Sequence, residues 1–453
     1  MHLARKSLRR LMAAGLVSGT VLATWTAAAH PAAAHPAAAR QSEASGTGDT
    51  VVRAAAQRAT PAADALDRDA LRGTLDAVRD AGMYGIYSSV RDGDERWEGA
   101  SGVADVRTGR PVTPQMRHRI GSVSKAFTSV ALMQQVERGR LDLDAPIARY
   151  LPGLVPGELG RAVTTRMLLN HTSGIADYIP GAFPSLLRDS PASLDDNRFK
   201  RFTPEELVRF GLAGARTGRP GEHASYSNTN YVIAGLLLER LTGVEAETYI
   251  THNVIGRAGL RHTYFPRTPF VAGPHSKMYE ALYGLIDPPR DYSVYDMSWA
   301  FTAGALVSTM DDLGTFYRAL LGGRLVGARQ LAEMQRTVPF TDAQGNVLLN
   351  YGLGIYAQDW PCGRFWGHDG AVFGAGTVTL SSPDGRRQAS LGINLMKYQH
   401  IDENGQVQIH PIDIAMARHM LVALCGTQAA PPSTLRAPAI PLFPTETLRP
   451  ARA

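Results

Sequence analysis

An α/β fold is predicted, with an antiparallel sheet backed by helices at the two ends of the chain and a mostly helical insertion between them. Two observations carry it. Period-two patterning appears near both ends of the folded region, in "YGIYSSV" (84–90) and "RWEGASGVAD" (96–105), then in "RFWGHDGA", "GTVTLSS" and "RQASLGINL". Between these ends the apolar residues fall at helical spacing. Sequence-distant strands of one pattern flanking helices read as one compound fold.

The elements follow in order. "VSKAFTSVALMQQVERG" (123–139) brings Phe127, Val130, Ala131 and Val136 close to one helix face. "TPEELVRFGL" opens with Thr203, Pro204 and Glu206, a capping box with proline at the first helical position. "NYVIAGLLLERLTG" (230–243) and "MDDLGTFYRALLGG" (310–323) both end in a glycine stop. Pro383-Asp384-Gly385 forms the turn between two late strands, and "IDIAMARHMLVALCG" (412–426) reads as a final helix. The folded body is expected over 65–426, with the helical insertion at about 106–345. No fixed-period repeat is present.

The ends differ from this body. Arg5, Lys6, Arg9 and Arg10 precede an apolar run from Leu11 to Ala23, and Ala27-Ala28-Ala29 offers a small-residue cleavage site. These are the three parts of a secretory signal peptide over 1–29, and the run is too short to span a bilayer. Residues 30–64, rich in Ala and Pro with repeated "HPAAA", read as a disordered leader, and 427–453 as a Pro-rich tail. No later apolar run reaches 18 residues, so a secreted chain without a membrane anchor is expected.

Composition narrows the function. The chain has 453 residues, 44% apolar and 19% charged, a globular balance. The net charge is +6, but four of those charges sit in the first 29 residues, which carry no acid. The remainder is nearly neutral, so no nucleic-acid partner is expected. Two cysteines exclude a disulfide scaffold or a Cys-rich metal module. Export would place them in an oxidising compartment, where Cys362 and Cys425 either pair or remain two thiols. Only Lys6, Lys125, Lys200, Lys277 and Lys397 are lysines among 47 basic residues. There is no H-E-x-x-H, G-x-S-x-G, P-loop or dinucleotide fingerprint, and no metal or cofactor is expected.

Three local patterns carry chemistry. Ser122-Val123-Ser124-Lys125 sets a serine and an amine on one face at a helix start, where free backbone donors favour negative charge. An adjacent amine can activate a serine, although the same pattern also describes a capped helix with a surface lysine. Tyr226-Ser227-Asn228 precedes a helix. A tyrosine with a lowered pKa can shuttle protons and an asparagine can bond an amide, or the pair is packing and cap. In His368-Asp369-Gly370-Ala371 a histidine can supply a positive or hydrogen-bonding group, and Gly370 permits close approach of a substrate to an edge strand; the alternative is a structural turn.

Taken together and in this order, the three resemble the serine penicillin-recognising clan. That clan comprises class C β-lactamases, low-molecular-weight D-alanyl-D-alanine carboxypeptidases, and related esterases and D-aminopeptidases. The likeness is strongest to secreted actinomycete serine carboxypeptidase/transpeptidases. It runs over roughly residues 70–426 and includes "LLNHTSGIADY", "SWAFTAGALVSTMDDL", "YGLG" and the placement of Cys362 and Cys425. The resemblance implies a β-lactamase/DD-peptidase-like fold. It implies Ser122 as acylated nucleophile, Lys125 as its tuning amine, Tyr226 as proton shuttle and Asn228 as the group that orients the substrate amide. His368 would stand where many relatives have lysine. The N–H groups of Ser122 and Ala371 would form the oxyanion hole. Phe183 and Trp299 align with cleft aromatics, or are ordinary core.

The carboxypeptidases hold a free substrate carboxylate with hydroxyls on the histidine-motif strand and an arginine on the preceding strand. Here those positions are Asp369, Ala371 and Tyr356. Poor cleavage of a terminal D-Ala is therefore expected, unless Asp369 turns away to bind an arginine. The first reading is a carboxypeptidase of penicillin-binding type. The alternatives are an esterase, amidase or D-aminopeptidase on the same frame, or a β-lactamase. Expected partners are small molecules or peptides: peptidoglycan stem peptides, β-lactams, esters or D-amino-acid amides. A monomer is expected.

Overall fold

The computed structural model describes residues 66–342, 345–403 and 407–427. The expected signal peptide, leader and nearly all of the tail lie outside the described residues.

Nine strands form the main sheet: β1 (Gly85–Asp92), β2 (Glu95–Asp105), β3 (Arg110–Pro111), β4 (Val338–Thr341), β5 (Val347–Tyr351), β6 (Tyr356–Trp360), β7 (Gly363–Val372), β8 (Ala375–Ser381) and β9 (Arg387–Ile393). Their order is β3-β2-β1-β9-β8-β7-β6-β5-β4, antiparallel at every pairing. The joint between β1 and β9, from Ile86 opposite Ile393 to Asp92 opposite Arg387, makes one sheet of both chain ends. An ion pair between Arg387 and Asp92 (2.9 Å) closes its far end.

Helices cover both faces. One carries α1 (Arg68–Asp80), through Leu71, Leu75 and Val78, and the C-terminal α6 (Pro411–Cys425), through Ile412, Met416 and Met420. The other carries α5 (Met310–Leu321), whose Gly314 carbonyl accepts from Gln388 on β9 at 2.7 Å. Thr309 caps α5 by accepting from the Asp312 N–H.

The stretch between β3 and β4 is dominated by α2 (Ser124–Glu137), α3 (Pro204–Ala213) and α4 (Asn228–Thr242). Strands at 110–111 and 338–341 pair in the main sheet, so the helical stretch is trimmed at both ends relative to 106–345. Thr203 caps α3 at Glu206 N (3.1 Å), and Glu206 itself pairs with Lys200 (2.9 Å). α2 departs from a one-faced helix. Every residue from Ser124 to Gln135 is buried, as is α4 from Asn228 to Leu238. A helix buried on all sides needs no polar stripe, so Thr128 and Gln134 turn inward and bond backbone carbonyls (2.8–3.1 Å).

Cys362, in the turn between β6 and β7, is disulfide-bonded to Cys425 at the end of α6, with Cα atoms 5.4 Å apart. Closing a loop across 63 positions is worth up to about 4 kcal/mol in chain entropy. Among the described residues no helix is long and apolar enough to cross a membrane.

Candidate active site

The site forms where α2 begins against the half of β7 that β6 leaves unpaired. Strand β6 pairs with β7 only as far as Gly367, so His368 to Val372 have no β6 partner. A 3-10 turn, Gly121–Val123, packs onto this half. Two glycines permit the contact. A Cβ on Gly370 would lie 2.0 Å from the Ile120 carbonyl oxygen and 2.9 Å from the Ser122 nitrogen. Gly121 has φ +52, and a Cβ there would meet the Ala371 backbone at 2.7 Å. The backbones of Ser122 and Ala371 are thereby brought side by side, and both residues line a cavity together with Asn228 and Trp299.

Lys125 is fully buried beneath this cavity. Its Nζ reaches Asn228 Oδ1 (2.8 Å), the Ala303 carbonyl (2.8 Å) and Ser122 Oγ (3.0 Å). The two carbonyl oxygens can only accept, so two N–H bonds go to them. At Ser122 Oγ the amine either donates or, when neutral, receives the serine proton. The rings of Tyr226 and Tyr231 lie 5.0 and 5.4 Å from Nζ, within cation–π range.

Asn228 is held at both ends. Its Oδ1 takes Lys125, and its Nδ2 donates to Asp177 Oδ2 at 2.7 Å. The same Asp177 oxygen accepts the Asn228 backbone N–H (3.2 Å), and Oδ1 accepts from Ile179 N (2.9 Å). Asn228 therefore fixes the lysine as well as facing the cavity, a task beyond the substrate contact expected of it.

Tyr226 is buried, its ring 4.3 Å from that of His171. Burial, then the charge of Lys125, holds His171 well below the ordinary histidine pKa, so the ring is neutral. Its Nδ1 accepts from Ser227 N (3.2 Å), which anchors the Tyr226 segment. His171 adopts φ +64, one of six non-glycine residues in that region among the described residues. Sequence reasoning did not place His171, Asp177 or Tyr178, which also lines the cavity, at the site. All three lie in "HTSGIADY", which was quoted only for likeness.

His368 differs from expectation. Burial, and next the Lys125 charge, lower its pKa to about 3, so it carries no positive charge. Its Nδ1 bonds the Asp369 carbonyl, which only accepts, so Nδ1 holds the proton and Nε2 accepts the Tyr351 hydroxyl at 2.7 Å. The ring positions Tyr351 and supplies no cation to a substrate.

Asp369 also differs. Its Oδ1 lies 3.8 Å from His368 Nδ1, so the side chain stays beside the histidine ring. It is fully buried. Beside it lies Tyr356, whose phenol is raised well above its ordinary pKa by burial and then by this carboxylate. A tyrosine stands where the alternative put an arginine. Trp299 lines the cavity, whereas Phe183 backs it, with ring centroids 5.5 Å apart and nearly perpendicular. Among the described residues no cluster of His, Cys, Asp or Glu is placed to hold a metal ion.

The Beta-lactamase family model matches residues 71–400. The chain belongs to this family, that of the β-lactamase-fold serine hydrolases. Penicillin-binding protein 4 of Amycolatopsis lactamdurans is 32% identical over 298 residues, covering 62% of this chain and 73% of that protein. Esterase EstB of Burkholderia gladioli is 31% identical over 214 residues, 45% of this chain and 54% of the esterase. A crystal structure of a D-stereospecific amidohydrolase from Streptomyces sp. superposes with TM-score 0.68 at 34% identity, covering 80% of this chain and 99% of that one. The chain spans 63%, 73% and 66% of the length of the first three curated relatives it matches.

Proposed function

We propose that this protein is an exported hydrolase that forms an acyl-enzyme on Ser122 and cleaves amides and esters whose leaving group carries no carboxylate, D-amino-acid amides foremost. The observation that carries this reading is the leaving-group end of the cleft. His368 is neutral there, a tyrosine occupies position 356, and Asp369 is buried with its Oδ1 3.8 Å from the His368 ring nitrogen. A carboxylate brought out of water without a cation costs several kcal/mol. Ammonia, an alcohol or an amidated amine avoids that cost. The amidohydrolase and esterase relatives support the same choice.

The roles follow from the contacts. In its neutral form Lys125, with two N–H bonds committed to carbonyl oxygens, receives the Ser122 proton as Oγ attacks the carbonyl carbon. The Ser122 and Ala371 N–H groups take the developing oxyanion, worth about 3 kcal/mol each. Tyr226 passes the proton to the leaving nitrogen or oxygen, the C–N or C–O bond breaks, and water then releases the acid and regenerates Ser122. Asp177, through Asn228, keeps the lysine aimed. Export on residues 1–29 fits the Cys362–Cys425 disulfide, since such bonds persist in oxidising compartments.

The test compares D-phenylalanyl-D-alanine with its C-terminal carboxamide, which differ only in the charge of the leaving group. The carboxamide should be cleaved at the Phe–Ala bond with kcat/KM about tenfold or more above the free acid. Parity, or preference for the free acid, would restore the carboxypeptidase reading.

A further inference from the structure

A second cavity shares Trp299, Ala371 and Val372 with the Ser122 cavity. Leu186, Leu282 and Phe373 give it apolar walls, and Lys397 is its charged member. Nothing in the acyl-transfer machinery uses Lys397.

Lys397 is built into place. It is only 9% exposed and sits at φ +49, a conformation that costs a side-chain-bearing residue free energy. Leu282 and Tyr283, across the cavity rim, have φ +46 and +59, and the Lys397 carbonyl accepts the Tyr283 N–H at 2.7 Å. Its Nζ lies 3.5 Å from Glu280 Oε2 and 5.7 Å from the Phe373 ring centroid. Glu280 is fully buried, and its carboxylate also accepts the N–H groups of Leu282 and Gly374, each at 3.0 Å. Glu280 does not line the cavity. Backbone donors thus anchor the carboxylate, and of the two partners Lys397 lines the cavity.

The cavity lies at the acyl end of the cleft. The leaving group must meet Tyr226, whose ring is 6.4 Å from Tyr351, and Tyr351 bonds His368. β7 runs from His368 past Ala371 to Val372, so the residues beyond Ala371 face what stays attached to Ser122.

We propose that this cavity is the acyl-arm subsite and that Lys397 selects acyl groups whose apolar chain ends in a hydrogen-bond acceptor, a carboxylate or carbonyl, and rejects cationic arms. The inference rests on Ser122 being the acylated residue.

Three p-nitrophenyl esters of equal chain length test it: hexanoate, the adipate half-ester and 6-aminohexanoate. Wild-type protein should favour the adipate over the 6-aminohexanoate ester in kcat/KM by about tenfold or more. Lys397→Met should bring that ratio to parity or below, and Lys397→Arg should retain a preference. Hexanoate turnover abolished by Ser122→Ala, with no adipate preference in wild type or an unchanged ratio in Lys397→Met, overturns the subsite assignment alone. No Ser122-dependent turnover of any ester overturns it together with the acyl-enzyme reading.

Discussion

Lys125→Met is expected to lower kcat/KM by about 10⁴-fold or more while leaving a folded protein. The side chain is fully buried with its Nζ against Ser122 Oγ, Asn228 Oδ1 and the Ala303 carbonyl, so its loss removes the amine placed to take the Ser122 proton. Groups that act as one unit fail together, and removal of a single member costs roughly 10⁴ to 10⁶ in rate. Methionine matches lysine in length, so no large void opens. The Asn228 Oδ1 and Ala303 carbonyl lose a donor, at about 1–3 kcal/mol for each group left unsatisfied. That loss is offset by no longer burying an ammonium. Steady-state rates on an activated ester, with circular dichroism as the folding control, decide the point. Activity within tenfold of wild type would remove Lys125 from the machinery.

Acid should unfold this protein early. Four histidines are fully buried with depressed pKa values: His118 and His419 at about 4, His368 at about 3, and His171 well below its ordinary value. Burial is the largest cause at all four. An unfolded histidine titrates near 6.5, so below that pH the unfolded chain binds more protons than the folded one. The contribution is complete above about pH 6.5 and is lost as pH falls toward 4. Each histidine withdraws up to about 1.4 kcal/mol per pH unit in this window. By pH 5 the four together withdraw up to roughly 8 kcal/mol, against a typical total of about 5–15 kcal/mol. Calorimetry at pH 7.5, 6 and 5 should show a falling Tm that collapses between pH 5 and 4. A constant Tm from 7.5 to 5 would mean these side chains are not buried neutral.

The fold was readable where chemistry and packing are local. The last three strands and their Pro383-Asp384-Gly385 turn lie where period two placed them, because both the alternation and the turn residues are short-range. α1 escaped notice although Leu71, Leu75 and Val78 recur at helical spacing. It follows directly on the Ala- and Pro-rich leader, and its remaining residues are mostly charged or small. β5 was missed for another reason. It pairs near the sheet edge, and Val347 and Leu348 are both exposed, so no alternation survives.

The site divides in the same way. Ser122 with Lys125 and Tyr226 with Asn228 are spaced by helix and loop geometry, which sequence carries. The neutrality of His368 is not of that kind. It follows from complete burial beside a cation contributed by α2, a contact spanning more than 240 positions. The hold of Asp177 on Asn228 crosses 51 positions and leaves no spacing signature.

The most direct test of the account is the intact mass of the protein, acid-quenched during turnover of an uncharged p-nitrophenyl ester, with Ser122→Ala alongside. The account predicts a wild-type species heavier by the acyl group alone, on the peptide bearing Ser122, and no such species in the variant. Ester turnover that proceeds in Ser122→Ala, or an acyl group found on another residue, would contradict it.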